Sequence, residues 1–419
     1  MNFSPGFLFY MHMLFQFNIY SSLLLVFFVH ILVYAFMLWR RGVLQGSVAD
    51  KLLGSFLLVA ALFVIPWMTG FAGWYNTENP VYREILFYTP FVHGLFIGPL
   101  IYLYVKSITN FHIKFNRKDW LHFIPGGLYL LWCLVVVIID KLVVGHYYLM
   151  NGVTDPDFAG WYEWVQKISI LIYLILAIQY YRQYRRFAFY EFSFVETAGF
   201  NWLRNFLIAF GIITLLPLLQ DVLQLFPFFA NLDYKGAWYY FFSFAIVVYY
   251  IAINGYNAVS IPLRRLLFEP ELLVQYQSPR LLPAPVKTEE ASFEVIETKE
   301  EDTLVAQWKE KVNEFVQQQK IYEEPELTLS DLAKKLSTNT SLLSRVVNQG
   351  FGLSFNDYIN QYRVNAVIGK LKEGEQRKQT LLGIAFDCGF NSKATFNRAF
   401  KKLTGVSPKE WLVKYPFDR

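Results

Sequence analysis

Charge is scarce in this chain. Asp, Glu, Lys and Arg make up 17% of its 419 residues, where an ordinary soluble domain carries about 25%. The deficit is uneven. Residues 1–268 are rich in Phe, Leu, Tyr, Ile and Val, whereas residues 269–419 read as a charged linker and a soluble domain. Two parts in two different solvents follow, rather than one water-soluble globule. Cysteine is nearly absent too. Cys133 lies in an apolar run and Cys388 in the polar tail, so a disulfide is not expected and both are read as small apolar fillers. No basic residue precedes Arg40. A cleaved signal peptide wants positive charge before its apolar core, so the first run is expected to be a retained span. A Gly-rich phosphate loop, a kinase-like motif, a paired-carboxylate site and a metal-ligand cluster are all missing. The expectation is no enzyme, with no catalytic residue, no metal and no cofactor.

What is present in the first part is length and apolarity. About 20 mainly apolar residues cross the hydrocarbon as a helix, the form that satisfies its own backbone in lipid. Seven runs qualify: 19–39, 52–71, 85–105, 121–139, 164–181, 205–226 and 236–253. Pro66, Pro99, Pro125 and Pro217 within them are read as kinks. Basic residues alternate between loops. One side holds thirteen: Arg40, Arg41, Lys51, Lys106, Lys114, Arg117, Lys118, Arg182, Arg185, Arg186, Arg204, Arg264 and Arg265. The other side holds four: Arg83, Lys141, Lys167 and Lys235. The basic side is the cytoplasmic one. This places the N-terminus outside and residues 257–419 inside, in the cytoplasmic (inner) membrane of a cell. The domains are thus a seven-span part over 1–256, an acidic linker over 257–303 and a helical domain over 304–419. Within the linker, residues 269–302 carry nine acidic and three basic residues, with Pro270, Pro279, Pro283 and Pro285, the composition of a flexible tether.

The last part repeats itself. Leu332-Ala333, Leu336, Leu343, Arg345, Gly352, Ser354, Tyr358 and Tyr362 return as Ile384-Ala385, Cys388, Phe396, Arg398, Gly405, Ser407, Trp411 and Tyr415. The offset is 52 residues, then 53 after one extra residue in the turn Gly389-Phe390-Asn391. Each copy has the parts of a helix-turn-helix. In the first, Thr328-Leu329-Ser330-Asp331 is a capping pattern, Ser337-Thr338-Asn339 makes the turn, and 340–348 is the reading helix. Leu343 and Val347 face inward there; Thr340, Ser341, Ser344 and Arg345 face out. In the second, 382–388 supports, Gly389 allows the turn, and 393–402 reads. Phe396 and Phe400 face inward; Lys393, Ala394, Asn397 and Arg398 face out, with Lys401 and Lys402 placed for phosphates. Helix 355–371 separates the two units. Residues 303–419 hold 18 basic against 12 acidic residues, a balance suited to a polyanion.

These segments resemble the DNA-binding domain of AraC/XylS-type transcription regulators. Leu329-Ser330-Asp331-Leu332-Ala333, Leu343-Ser344-Arg345, Phe355 to Arg363, Ile384-Ala385-Phe386-Asp387-Cys388-Gly389-Phe390, Phe396 to Lys401 and Gly405-Val406-Ser407-Pro408 carry the likeness. It implies an all-α domain whose two reading helices enter successive major-groove segments, about 34 Å apart. The residues it puts on the bases are Thr340, Ser341, Ser344, Arg345, Lys393, Ala394, Asn397 and Arg398. Gly383 departs from the pattern and should weaken its helix by up to ~1 kcal/mol relative to Ala. The whole also resembles membrane-anchored regulators of this kind. Two reading units per chain lessen the need for a homodimer without removing it.

One span would anchor such a domain, so seven point to sensing of a small molecule or a membrane state. Asp221, with Gln220 and Gln224 beside it, is the candidate sensor site. His30 and His93 are weaker candidates, read first as interhelical hydrogen-bonding groups. Trp74, Tyr75, Trp161 and Trp164 are read as interface anchors. The competing readings are a transporter or channel with a basic regulatory tail, and a static tether for DNA.

Overall fold

The computed structural model describes residues 15–75, 80–110, 113, 115–150, 160–194, 200–223, 225–226, 233–258 and 293–415. Among them the chain is all-α, with no strand. It divides into two units, residues 1–180 with 202–267, and residues 181–201 with 268–419.

The first unit contains α1 (Ile19–Leu44), α2 (Val48–Phe71), α3 (Pro80–Tyr88), α4 (Gly94–Ile108), α5 (Ile124–Val137), α6 (Gly160–Glu191, up to Tyr180), α7 (Phe200–Leu223, from Trp202) and α8 (Asp233–Asn257). A π-helical turn, Ile138–Val144, prolongs α5. Among the described residues, six helices are long and apolar enough to cross a membrane: α1, α2, α5 with its continuation, α6, α7 and α8. The third expected span differs. Its chain leaves the helix over Thr89–His93, so α3 and α4 are separate. Pro90 accounts for the break, because it offers no N–H and drives Thr89 out of the helical region. Helix α4 alone has 15 residues, or roughly 22 Å, against a hydrocarbon core of about 30 Å. Pro66, Pro99 and Pro217 sit inside their helices, and Pro125 opens α5.

Local chemistry starts the first hairpin. The Asn18 side chain accepts from the Tyr20 and Ser21 amides, capping α1, and Ser47 caps α2. Packing then centres on α2. Leu53, Phe56, Leu57, Ala60, Ala61 and Val64 are all buried, against Leu24, Ile31 and Leu38 of α1 and residues of α4 and α8. At the hairpin's base Arg41 clasps Asp50 through two bonds, Nε to Oδ2 at 2.7 Å and Nη2 to Oδ1 at 2.9 Å. Its third donor group reaches the Tyr256 carbonyl at the end of α8, and the guanidinium lies over the Tyr256 ring. The opposite surface is greasy. On α7, Ile208, Ile212, Leu215, Leu219 and Val222 are exposed at spacings of four and three residues, which is one helical face.

The second unit contains the end of α6 with the turn that follows it, then α9 (Phe293–Gln318), α10 (Leu329–Lys335), α11 (Thr340–Arg345), α12 (Phe355–Lys372), α13 (Leu381–Asp387), α14 (Lys393–Thr404) and α15 (Pro408–Lys414). The expected tether up to residue 302 is shortened, because α9 is already helical at 293. No Pro or Gly follows Pro285 in that stretch, and Glu, Lys and Gln are good helix formers. The rest of the expected acidic linker, 259–292, lies outside the described residues.

Candidate nucleic-acid interface

Two small cores carry two helix-turn-helix units. The first gathers Leu329, Leu332, Ala333, Leu343, Val346 and Val347 around Val312 and Val316 of α9. The second gathers Ile384, Ala385, Cys388, Phe390, Phe396, Phe400 and Trp411. Helix α12 serves both. Phe355, Tyr358 and Ile359 belong to the first core, and Val364, Val367 and Leu371 to the second. Burial pushes the Cys388 thiol up to about 11, so it is a neutral filler at neutral pH.

Caps define the helices of each unit. Thr328 Oγ1 accepts the Asp331 amide at the start of α10, and Asn339 Oδ1 accepts the Leu342 amide at 2.7 Å to start α11. Ser392 Oγ accepts the Thr395 amide to start α14, and Gly405 closes it in the left-handed region. Both turns take a positive φ at one residue. Ser337 has φ 53° and Gly389, 52 positions on, has φ 92°. Their surroundings differ. Ser337 is exposed, whereas a Cβ on Gly389 would stand 2.2 Å from the Tyr322 carbonyl oxygen. Only glycine fits there.

On α14 the expected faces are found. Thr395, Phe396 and Phe400 are buried; Lys393, Ala394, Asn397, Arg398, Lys401 and Lys402 are exposed. Lys402 Nζ meets Asp357 Oδ1 of α12 at 2.7 Å, so a phosphate there competes with a carboxylate. The first unit needs a correction. Ser341 is exposed, Thr340 and Arg345 are half-buried, but Ser344 is 2% exposed and its Oγ accepts Asn348 Nδ2. Ser344 lies about 100° from Leu343 on the helix and next to Val347, at the rim of the core stripe. The helix also changes to a π turn over Val346–Gly350. Ser344 positions α11 from within and presents no group to a groove in this state.

In the membrane-like unit the candidate residues fall apart. Asp221 lies in the last turn of α7, where Lys167 Nζ holds it at 2.7 Å and Glu163 at 2.7 Å. Gln220 is half-buried beside it, and Gln224 lies outside the described residues. His30 is exposed on α1 against the Tyr249 ring, and His93 precedes α4 against Phe96. Among the described residues no His, Cys, Asp and Glu cluster is arranged for a metal. Sequence reasoning missed Asp140, which is fully buried and accepts from the Leu149 and Met150 amides and the Tyr88 hydroxyl. It follows directly on the expected span end and so looked like a loop residue.

Residues 332–414 match the family described as a helix-turn-helix domain. Over 85 residues the chain is 33% identical to an uncharacterized HTH-type transcriptional regulator, YtdP, of Bacillus subtilis (strain 168), which covers 20% of this chain and 11% of the relative. It is 28% identical over 102 residues to an uncharacterized HTH-type transcriptional regulator of Staphylococcus aureus (strain COL), covering 24% of this chain and 13% of the relative. It is 29% identical over 87 residues to the HTH-type transcriptional activator RhaS of Mannheimia succiniciproducens, covering 21% of this chain and 31% of the relative. The chain thus spans between about a tenth and a third of the length of these relatives. No solved structure matches the chain.

Proposed function

We propose that this chain, which carries an AraC/XylS-type helix-turn-helix domain at its C-terminus, is a membrane-embedded regulator of transcription. The observation that carries the reading is the exposed face of α14, where Lys393, Asn397, Arg398, Lys401 and Lys402 stand on a helix held by Phe396 and Phe400. Arg and Asn are the residues that read guanine and adenine edges in the major groove, and lysines neutralise phosphates. The apolar stripe on α7 supports the membrane part, because five large exposed side chains on one face cost free energy in water and none in hydrocarbon. The excess of basic residues on one set of loops supports a cytoplasmic domain, and a reporter fused after Arg419 should score on the cytoplasmic side.

DNA reading is tested on the full chain in lipid nanodiscs with duplexes selected from a random pool. Arg398→Ala is expected to relax preference at one or two base pairs by about 1–3 kcal/mol. Lys401→Ala is expected to weaken all duplexes alike and to lower the salt slope by about one. Unchanged base preference in Arg398→Ala removes α14 as the reader. The stimulus is taken to act through the spans. Asp221→Asn, which frees Lys167 from one of its two carboxylates, tests that site: an unchanged reporter response excludes Asp221 from sensing.

A further inference from the structure

The helix-turn-helix unit contains a segment that its sequence neighbourhood gives no hint of. Residues 181–201 belong to it, and three of them, Glu191, Phe192 and Ser193, are threaded into it. All three are buried, Ser193 fully. Ser193 N and Oγ both donate to the Leu327 carbonyl, at 3.2 and 2.7 Å. Phe192 pairs antiparallel with Thr328, the cap of α10, and its carbonyl accepts Asn356 Nδ2 at 3.3 Å. Glu191 Oε1 accepts the Ser330 amide at 3.2 Å, meeting one of the free N–H groups at the start of α10.

Arg363 completes the grip. Its side chain is fully buried and, among the described residues, has no carboxylate partner; its bonds run to oxygens of Tyr322, Glu324, Pro325, Asn360 and Ser193. Burial pushes the guanidinium down to about 9, so it is still charged at neutral pH and needs every acceptor it has. Ser193 supplies two of them, its carbonyl at 3.1 Å and its hydroxyl at 3.1 Å. A buried cation stripped of acceptors is costly, which makes the segment part of the fold and not an adsorbed loop.

We propose that Glu191–Ser193 is a coupling strap, through which α6 acts on the first reading unit. The strap is continuous with α6, a helix of 32 residues, and it holds α10, which packs on α11, and α12, which packs on the π turn that follows α11. A shift or turn of α6 is thereby delivered directly to the cap of α10 and to Arg363, and one step further to the second reading unit, along α12 and through the Arg363 guanidinium over the Phe390 ring. This rests on the regulator reading, but its test has a readout that does not need DNA.

The experiment inserts two or four alanines after Tyr181 in the full chain, in phosphatidylcholine and phosphatidylglycerol nanodiscs. Two residues turn the strap by ~200° about the helix axis, and four bring it back to within ~40°. With two, hydrogen exchange of the Leu329–Arg345 amides is expected to speed up by roughly tenfold or more, while Lys393–Thr404 changes far less. With four, protection returns. Duplex affinity is expected to follow, changing roughly tenfold with two alanines and recovering with four. In a Glu191→Ala/Ser193→Ala background the two-alanine insertion should change neither. Protection and affinity within about twofold of the parent after two alanines, or equal loss after two and four, overturns the strap. A chain that binds no duplex yet keeps the phase-dependent protection removes the DNA reading and leaves the strap standing.

Discussion

Gly389→Ala is expected to destabilise the helix-turn-helix unit by roughly 2–6 kcal/mol, a backbone strain added to an overpacked contact. Two independent facts combine. The residue sits at φ 92°, where an L side chain is strained. Its Cβ would also stand 2.2 Å from the Tyr322 carbonyl oxygen and 2.9 Å from the Glu323 backbone. Neither neighbour is the free end of a side chain that could swing away. Tyr322 O is also the acceptor for Arg363 Nε, so moving it disturbs the buried guanidinium as well. A domain has about 5–15 kcal/mol in total, so a large part of it is lost. Exchange of the α13 and α14 amides in the full chain checks this. Ser337→Ala, at the corresponding turn of the first unit, is the control: the residue is exposed, and no more than about 0.5 kcal/mol should change. Equal losses at both positions would refute the close-approach account.

Asp50→Ala is expected to cost about 3–5 kcal/mol in the other unit, the range for breaking a buried ion pair by removing one partner. The Arg41 guanidinium would keep the Tyr256 carbonyl and ring but lose two charge-assisted bonds. It cannot escape easily, since its side chain is only 19% exposed. Thermal aggregation in detergent measures the loss. Removing both charges, as Arg41→Met with Asp50→Leu, should recover much of it, because no unpaired charge is left. If the double variant is no better than Asp50→Ala, the pair is not what joins the base of α1 and α2 to α8.

Much of this was legible beforehand because the signals were local. Apolar runs above the length needed for a span and the capping pattern at Thr328 each need only a short window of chain, and the duplication shows as a fixed offset of 52 to 53 residues. The break at Pro90 was open to the same reading, but an apolar run on both sides of it masks the lost N–H. Ser344 was misplaced because an even helical wheel puts it outside the stripe, while the π turn and Asn348 draw it in. What stayed hidden is long-range. Arg363 looks like one more basic residue on a basic helix, and Ser193 like a loop serine. Nothing within ten residues of either reveals that they meet across 170 positions. Asp140 is hidden likewise, since its partner Tyr88 is 52 residues away.

Helix α12, whose first half closes one core and whose second half closes the other, has a consequence for the DNA. The two heads ride on one uninterrupted rod, so neither can slide or swivel while the other stays seated. If the chain reads DNA as proposed, its operator must present two elements at a single pitch, and sites with one base pair added or removed between them should lose a whole head at once.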